Sequence, residues 1–299
     1  MMTKARKGFA LSIVLWIVAV LLLGIAYISA LSKEHLKISY ALNDKLTTQI
    51  MAKSYLEALK YYILTANFDG DKFINSVTKP LLPQKITLDG RVYLLGDVYI
   101  SLRDISGMIQ PYSLATVVTK SDERELYFTI RDSLLDWIDV DNIPKLNGAE
   151  SAYYQLQQSL DYQPANILSL QNVDELRLIK GIKDLKTKRW HHLKKNITYK
   201  SSRINFMLIN TNYLKSILKI TLLEAENLIN LREINREKFI SIVEKNKNFN
   251  GYMMGFWISK VVKITIVSIK NLAKTKLQTT LHFEKTGKKS YTISAFKIY

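Results

Sequence analysis

One short stretch of the sequence, residues 136–150 (DWIDVDNIPKLNGAE), concentrates carboxylate and amide side chains around a glycine. Calcium takes about six to eight oxygen ligands, some of them backbone carbonyls, so such a stretch could hold a hard cation. The spacing does not fit an EF-hand. The alternative is a solvated loop whose aspartates cap helices, and the spacing alone leaves both interpretations open.

Other residue types that could do chemistry form no recognisable site. The four histidines have no triad or two-histidine metal spacing around them, and His191 and His192 would point about 100° apart on a helix. The chain contains no cysteine, and it lacks the glycine-rich motifs that cradle phosphates. The sequence therefore indicates a protein that is not an enzyme.

The first element of the chain that carries the acidic stretch is a hydrophobic segment at residues 9–31. Its 23 apolar or small residues exceed the roughly 20 that span a bilayer as a helix. No A-x-A-like site precedes the next charges, so a spanning helix is favoured over a removable signal peptide. Lys4, Arg6 and Lys7 stand before the segment and predict a cytoplasmic amino terminus. The rest of the chain would then lie in the periplasm, anchored in a bacterial inner membrane by one pass.

The pattern beyond the span predicts an α+β protein. Apolar residues at helical spacing extend the first helix to about Ala66, and Asp-Gly within residues 85–95 suggests a hairpin. Alternating strands near the middle and at the end of the chain should share one antiparallel sheet, with a large all-α domain inserted between them. The predicted organisation is a leader (1–8), an N-terminal helix (9–66, transmembrane over 9–31), a first α/β part (67–132), an inserted helical domain (133–250) and C-terminal strands (251–299).

Charge is distributed unevenly along the chain. Residues 180–299 carry 25 Lys and Arg against 7 Asp and Glu, a net +18, whereas residues 1–179 carry 18 against 19, a net −1. A basic half could face nucleic acid, an anionic membrane, an acidic partner or solvent alone. A helix-hairpin-helix DNA binder would need a glycine hairpin that residues 219–227 (KITLLEAEN) lack, so nucleic-acid binding is unlikely.

Several segments in order resemble protein K of the type II secretion pathway, a family of minor pseudopilins. They are the basic leader ending at Gly8, DISGMI (104–109), the segments LLDWIDVDNIPKLNGAESAYY and YQPANILSLQNVDELRLIKGI, and INTNYLKSIL with AENLINLRE. The resemblance implies a pilin-like fold and cleavage by the prepilin peptidase between Gly8 and Phe9, followed by N-methylation of Phe9. Ile13 stands where most pilin-like proteins have a glutamate. Members of the protein K family typically lack this glutamate.

The resemblance also implies a function and a cofactor. The chain would be a tip subunit that helps initiate and cap the periplasmic pseudopilus for export of folded proteins across the outer membrane. Its partners would be minor pseudopilins I and J, other pseudopilins and the inner-membrane platform. Family members hold calcium in the helical domain, and Asp139, Asp141 and Glu150 are the expected ligands here, although Asn142 and Ser151 replace acids. The alternative is a minor pilin of a type IV pilus or of a DNA-uptake pseudopilus.

Overall fold

A computed structural model describes residues 5–75, 81–119, 122–157, 163–183, 185–200, 202–283 and 291–299. The chain starts in one continuous helix, α1 (Ala5–Thr65), as the sequence predicts. Residues 11–31 of α1 are exposed, and α1 is the one helix in the described part of the chain that is long and apolar enough to cross a membrane. From Thr48 onward, α1 buries one face, because apolar residues recur there every three or four positions. The buried positions are Thr48, Ala52, Leu56, Leu59, Tyr62 and Ile63.

Two antiparallel sheets pack around the second half of α1. A small sheet follows the helix directly and contains β1 (Asn67–Asp69), β2 (Lys72–Ile74) and β3 (Lys85–Thr87) in that order. The larger sheet has the order β10-β9-β8-β5-β4, with all neighbours antiparallel. Its strands are β4 (Asp89–Leu95), β5 (Val98–Asp104), β8 (Val261–Lys270), β9 (Ala273–Phe283) and β10 (Tyr291–Ile298). Early and late strands therefore share one sheet, and the predicted α+β class with a pilin-like long helix is confirmed.

The predicted hairpin at Asp89–Gly90 is wrong. β3 pairs with β2 and β4 pairs with β5, so the segments on either side of Asp89 belong to different sheets. Gly90 has a φ of +91° and lies at a register shift within β4. The chain reverses instead at Gly96 and Asp97, where Gly96 has a φ of +60° that an L side chain rarely adopts.

A helical unit (residues 109–256) is inserted between β5 and β8 and has its own hydrophobic core. The predicted boundary between residues 132 and 133 needs correction, because it falls inside α3 (Arg124–Ile138). The core already includes Ile109 and extends to Phe256. Besides α3, the unit contains α2 (Leu114–Val118), α4 (Ser151–Gln157), α5 (Thr187–Lys194), α6 (Thr211–Leu218), α7 (Leu222–Ile234), α8 (Arg236–Glu244) and the paired strands β6 (Ile204–Asn205) and β7 (Met254–Gly255).

We call α1 from Asp44 onward, together with the two antiparallel sheets, the sheet unit. One buried carboxylate joins it to the helical unit. Asp104, at the end of β5, is fully buried and accepts hydrogen bonds from the backbone N–H groups of Ser106 at 2.7 Å and Ser259 at 3.0 Å. Both hydroxyls also donate to it. Ser106 lies on the connection from β5 to the helical unit, and Ser259 lies on the connection from the helical unit back to β8. The side chain of Asp104 therefore binds both connections between the units.

Candidate metal centre

The acidic stretch lies where α3 ends, and its first members share one face of that helix. Asp132 and Asp136 are four residues apart, and Asp139 follows three residues later as the C-terminal cap. This spacing puts the three carboxylates on one side of the helix. Asp132 and Asp136 are buried there, and Asp132 accepts hydrogen bonds from the backbone and side chain of Asn147.

The loop after α3 folds back over Asp136. The backbone N–H groups of Lys145 and Ala149 donate to Asp136 Oδ2 at 3.1 and 2.9 Å. Gly148 lies so close to this carboxylate that a Cβ atom on it would stand 1.8 Å from Oδ2. Glycine is therefore required at position 148 for the loop to close on Asp136.

The closed loop brings three carboxylates together. Asp136, Asp139 and Glu150 each offer one oxygen, and these oxygens lie within 4.8 Å of one another. The ammonium of Lys145 lies 3.1 Å from Asp136 Oδ1 and 2.6 Å from Asp139 Oδ2. Three acids and one ammonium leave two negative charges at this point, the charge that a divalent cation would balance.

Three buried oxygens of this cluster have no hydrogen-bond partner among the described residues: Asp139 Oδ1 and both carboxylate oxygens of Glu150. Glu150 is only 3% exposed. Leaving a buried acceptor unsatisfied costs about 1–3 kcal/mol, and more when the group is charged. Oxygen-only ligands of this kind suit calcium, so the residues present fit such an ion.

The electrostatics reflect the crowding of like charges. Burial, followed by repulsion from Asp136, Asp139 and Asp141, raises the pKa of Glu150 to about 7. The hydrogen bond to Asp139 and the neighbouring Asp136 hold the pKa of Lys145 well above its usual value. Without a cation, Glu150 is thus partly protonated near neutral pH.

The structure brings together two of the three residues expected as ligands. Asp139 and Glu150 meet, whereas Asp141 lies outside the cluster and its Oδ1 accepts a hydrogen bond from the backbone N–H of Ile143 at 2.8 Å. Asp136, which was not among the expected ligands, takes the third place. The helical spacing of Asp132, Asp136 and Asp139 was the signal that could have identified it.

The expected processing position lies near the start of α1. Gly8 and Phe9 are within the helix, while residues 1–4 of the leader lie outside the described residues. Ile13 is 45% exposed on the same helix.

Comparisons with known proteins agree with this architecture. Residues 119–195, which contain α3, the acidic loop, α4 and α5, match the family model of type II secretion system protein K. The fold is similar to a chain in the crystal structure of the GspK–GspI–GspJ complex from the enterotoxigenic Escherichia coli type 2 secretion system. That match has a TM-score of 0.50 and 13% sequence identity, and it covers 90% of this chain and 99% of the other. No curated protein matches the chain significantly in sequence. Both comparisons agree with the resemblance read from the sequence: residues 119–195 are similar to protein K of the type II secretion system, and the fold is similar to that of a chain in the GspK–GspI–GspJ complex.

Proposed function

We propose that the chain is a minor pseudopilin of the type II secretion system, with a structural and not a catalytic role. The observation that carries this proposal is the continuity of α1, which runs from a membrane-capable segment into the sheet unit. The protein K domain is inserted between β5 and β8 of that sheet. The amino terminus is cytoplasmic, the span lies in the inner membrane, and both units are periplasmic.

The leader is removed by the prepilin peptidase between Gly8 and Phe9, and Phe9 is then methylated. The basic leader ending at Gly8 and the abrupt apolar start support this step. Mass spectrometry of the mature chain should find N-methylated Phe9. Gly8→Ala should be cleaved nearly normally, whereas a bulky residue at position 8 should block cleavage. A mature chain that still begins at Met1 or Met2 beside an active peptidase would reject the step.

The exposed face of α1 contacts the helices of minor pseudopilins I and J. Leu36, Tyr40, Ile50 and Tyr61 are exposed. Helical geometry places Leu36, Ile50 and Tyr61 opposite the face that packs on the sheet, with Tyr40 beside Leu36. The chain is free of cysteine, so single-cysteine crosslinking reports one position at a time.

The test is Tyr40→Cys in the full chain, co-expressed with I and J variants that carry single cysteines along their own helices. We expect a disulfide-linked pair with Tyr40→Cys. The matched control is Lys238→Cys, exposed on α8, which should give none. Equal crosslinking at both positions, or none at any exposed α1 position, would refute contact through this face.

The subunit lies at the pseudopilus tip. Ile13 carries no carboxylate for the terminal amine of a subunit stacked above it, and the helical unit of residues 109–256 is bulky for a packed shaft. Ile13→Glu should burden membrane insertion by at most about 2.5–3.5 kcal/mol and should not improve assembly. Counting subunits per filament by quantitative crosslinking should give few copies; many wild-type copies along the shaft would reject tip placement.

The cluster of Asp136, Asp139 and Glu150 holds calcium. Its unpartnered buried oxygens and its net charge of two negatives support this assignment. The Lys145 ammonium must move away from Asp136 and Asp139, or share them, when the ion binds. Calcium should therefore raise the melting temperature of the full chain at millimolar concentration, and no rise would show that this chain lacks the site.

A further inference from the structure

The large sheet has two faces, and α1 covers only one of them. Leu102, Ile264 and Leu277 point towards α1 and are buried in its core. Residues that alternate with them along each strand point to the opposite side, which we call the outer face.

Strand register concentrates basic side chains on this outer face. Arg103 of β5 lies directly opposite Lys263 of β8. In the next row, Lys297 of β10 stands opposite Gln278, which in turn stands opposite Thr265. Lys276 follows one row further, opposite Val267. Arg103, Lys263, Lys276 and Lys297 form what we call the cation patch.

The cation patch meets an acid at its edge, where Asp89 of β4 stands opposite Arg103 but pairs with Arg91 at 2.7 Å. None of its four members makes an ion pair within 4.0 Å among the described residues, whereas Lys270, at the other end of β8, pairs with Asp44 at 3.2 Å. Arg103 donates instead to Asn196 Oδ1 at 2.8 Å. Burial and then the neighbouring cations Arg103, Lys276 and Lys297 lower the pKa of Lys263. Like charges opposite one another destabilise a sheet, so the fold itself gains nothing from this arrangement.

The position of the patch excludes the membrane as its counterpart. Thr48 of α1 contacts Thr275 of β9 at 2.8 Å, and β9 continues from there towards Phe283, which packs on Phe73 beside the end of α1. From Leu31 to Thr48 the helix rises about 25 Å. Lys276 is just beyond that level, and Lys263, opposite Thr280, is about 13 Å further than Lys276. Electrostatic attraction to a lipid surface is screened within about 8 Å at physiological salt.

The residues between the cations favour protein over nucleic acid. They are small hydroxyl and amide side chains, namely Ser101, Thr265, Gln278 and Thr280. Proteins that bind single-stranded nucleic acid place aromatic rings among the cations, so that bases can stack. Here the aromatic residues Tyr99 and Tyr299 lie only in the border row with Lys276, and tyrosine is common in protein–protein interfaces.

We propose that the outer face of the large sheet docks an acidic surface of a partner protein, whose carboxylates face Lys263, Lys276 and Lys297. The outer face is opposite α1, so this partner binds at the same time as any helix packed on the exposed side of α1. Rim charges of this kind mainly speed association and set its salt dependence.

The first test uses the full chain in neutral detergent with labelled poly-L-glutamate as the acidic probe. Lys263→Gln/Lys276→Gln/Lys297→Gln should weaken binding about tenfold at low salt, equivalent to about 1.4 kcal/mol. The matched control removes three charges elsewhere on the exposed surface, through Lys215→Gln/Lys238→Gln/Lys245→Gln, and should change affinity less than twofold. Equal losses in the two triple variants would overturn the proposal.

Two further probes separate the alternative counterparts. A single-stranded oligonucleotide and phosphatidylglycerol vesicles are titrated against the wild type and both triple variants. The proposal of an acidic protein is supported if the oligonucleotide and the vesicles bind more weakly than polyglutamate and lose equal affinity in the two triple variants. Tighter binding of the oligonucleotide or of the vesicles, lost only when the cation patch is neutralised, would overturn the proposal in favour of nucleic acid or lipid.

A second variant tests the patch without removing any cation. Thr265→Glu adds a carboxylate among the patch cations, so it should raise the melting temperature while it weakens polyglutamate binding. If the patch affected only stability, Thr265→Glu would not raise the melting temperature and weaken polyglutamate binding together. Unchanged binding, or a lower melting temperature for Thr265→Glu, would overturn the proposal.

Discussion

In the sheet unit, the buried hydroxyls of Thr48, Ser268 and Thr275 all find partners: Thr48 and Thr275 lie 2.8 Å apart, and Ser268 donates to the Thr48 carbonyl at 2.6 Å. In the helical unit, buried oxygens of Asp139 and Glu150 have no partner among the described residues. Among the described residues, the sheet unit therefore pairs all of its buried side-chain oxygens, whereas the helical unit leaves carboxylate oxygens unpaired at the candidate metal centre. The two units should therefore respond differently to the same perturbation.

The largest effect is expected when the buried carboxylate of Asp104, which joins the two units, is removed. Asp104→Ala leaves the buried N–H groups of Ser106 and Ser259 without their acceptor, at about 1–3 kcal/mol for each donor. Calorimetry should then show two separate unfolding transitions in place of a coupled one. Asp97→Ala, in the exposed turn between β4 and β5, is the control and should leave the profile unchanged. A single unshifted transition for Asp104→Ala would contradict the linking role.

Calcium removal should affect only one unit. At about 100 times the dissociation constant, the ion adds about 2.7 kcal/mol of stability to the helical unit. A chelator should therefore lower the helical transition and leave that of the sheet unit in place. Asp136→Asn combined with Asp139→Asn should abolish the calcium response.

Asp141→Ala is the matched control for that experiment, because Asp141 bonds only its own turn in this region. It should keep the calcium response. If Asp141→Ala removed the response and the Asp136/Asp139 pair did not, the proposed ligand set would be refuted.

Gly148→Ala sharpens the comparison through sterics alone. Its Cβ would collide with Asp136 Oδ2 at 1.8 Å, so the loop or the carboxylate must move. We expect a loss of about 1–3 kcal/mol in the helical transition, as for other overpacked sites, together with weaker calcium binding. Gly251→Ala, where a Cβ would have a nearest contact of 3.8 Å, should be nearly neutral. Equal effects of the two substitutions would contradict the close approach at Gly148.

The smallest expected effect is a pH dependence. The folded-state pKa of Glu150 is raised from its ordinary value of 4.5 to about 7. Its contribution to stability is therefore fully present below about pH 4.5 and is lost as the pH rises through 7. Without calcium, the helical transition should fall over this range, and Glu150→Gln should flatten the slope. Glu244→Gln, on the exposed surface of α8, should keep the wild-type slope; a flat wild-type profile would contradict the crowding at Glu150.

Local patterns in the sequence were sufficient for the sheet unit. The alternation of Val262, Ile264 and Ile266 and the helical spacing along α1 gave the correct elements, because burial on one face leaves a simple period. The exception is Asp89–Gly90, where Asp89 bonds Arg91 and Thr87 and the glycine serves a bulge and not a turn.

Apart from the helical spacing of Asp132, Asp136 and Asp139, the candidate metal centre depended on contacts that no local pattern contains. The family resemblance led to Asp141, but α3 turns Asp136 inwards and Asp141 points to its own turn. Glu150 becomes a neighbour only when the loop folds back onto Asp136 through Ala149. The placement of Lys145 between two acids likewise follows from that closure.

The grip of the large sheet on α1 has a mechanical consequence. Lys45 donates to the Lys274 carbonyl, Asn271 donates to Asp44, and Ser268 donates to the Thr48 carbonyl, so several bonds hold the helix where it enters the sheet. α1 contains no proline and strands β8 and β9 run alongside it, so an axial thrust loads these bonds and the packed face in shear, all at once. A push along the helix would therefore move the large sheet with it, without the helix sliding past the strands.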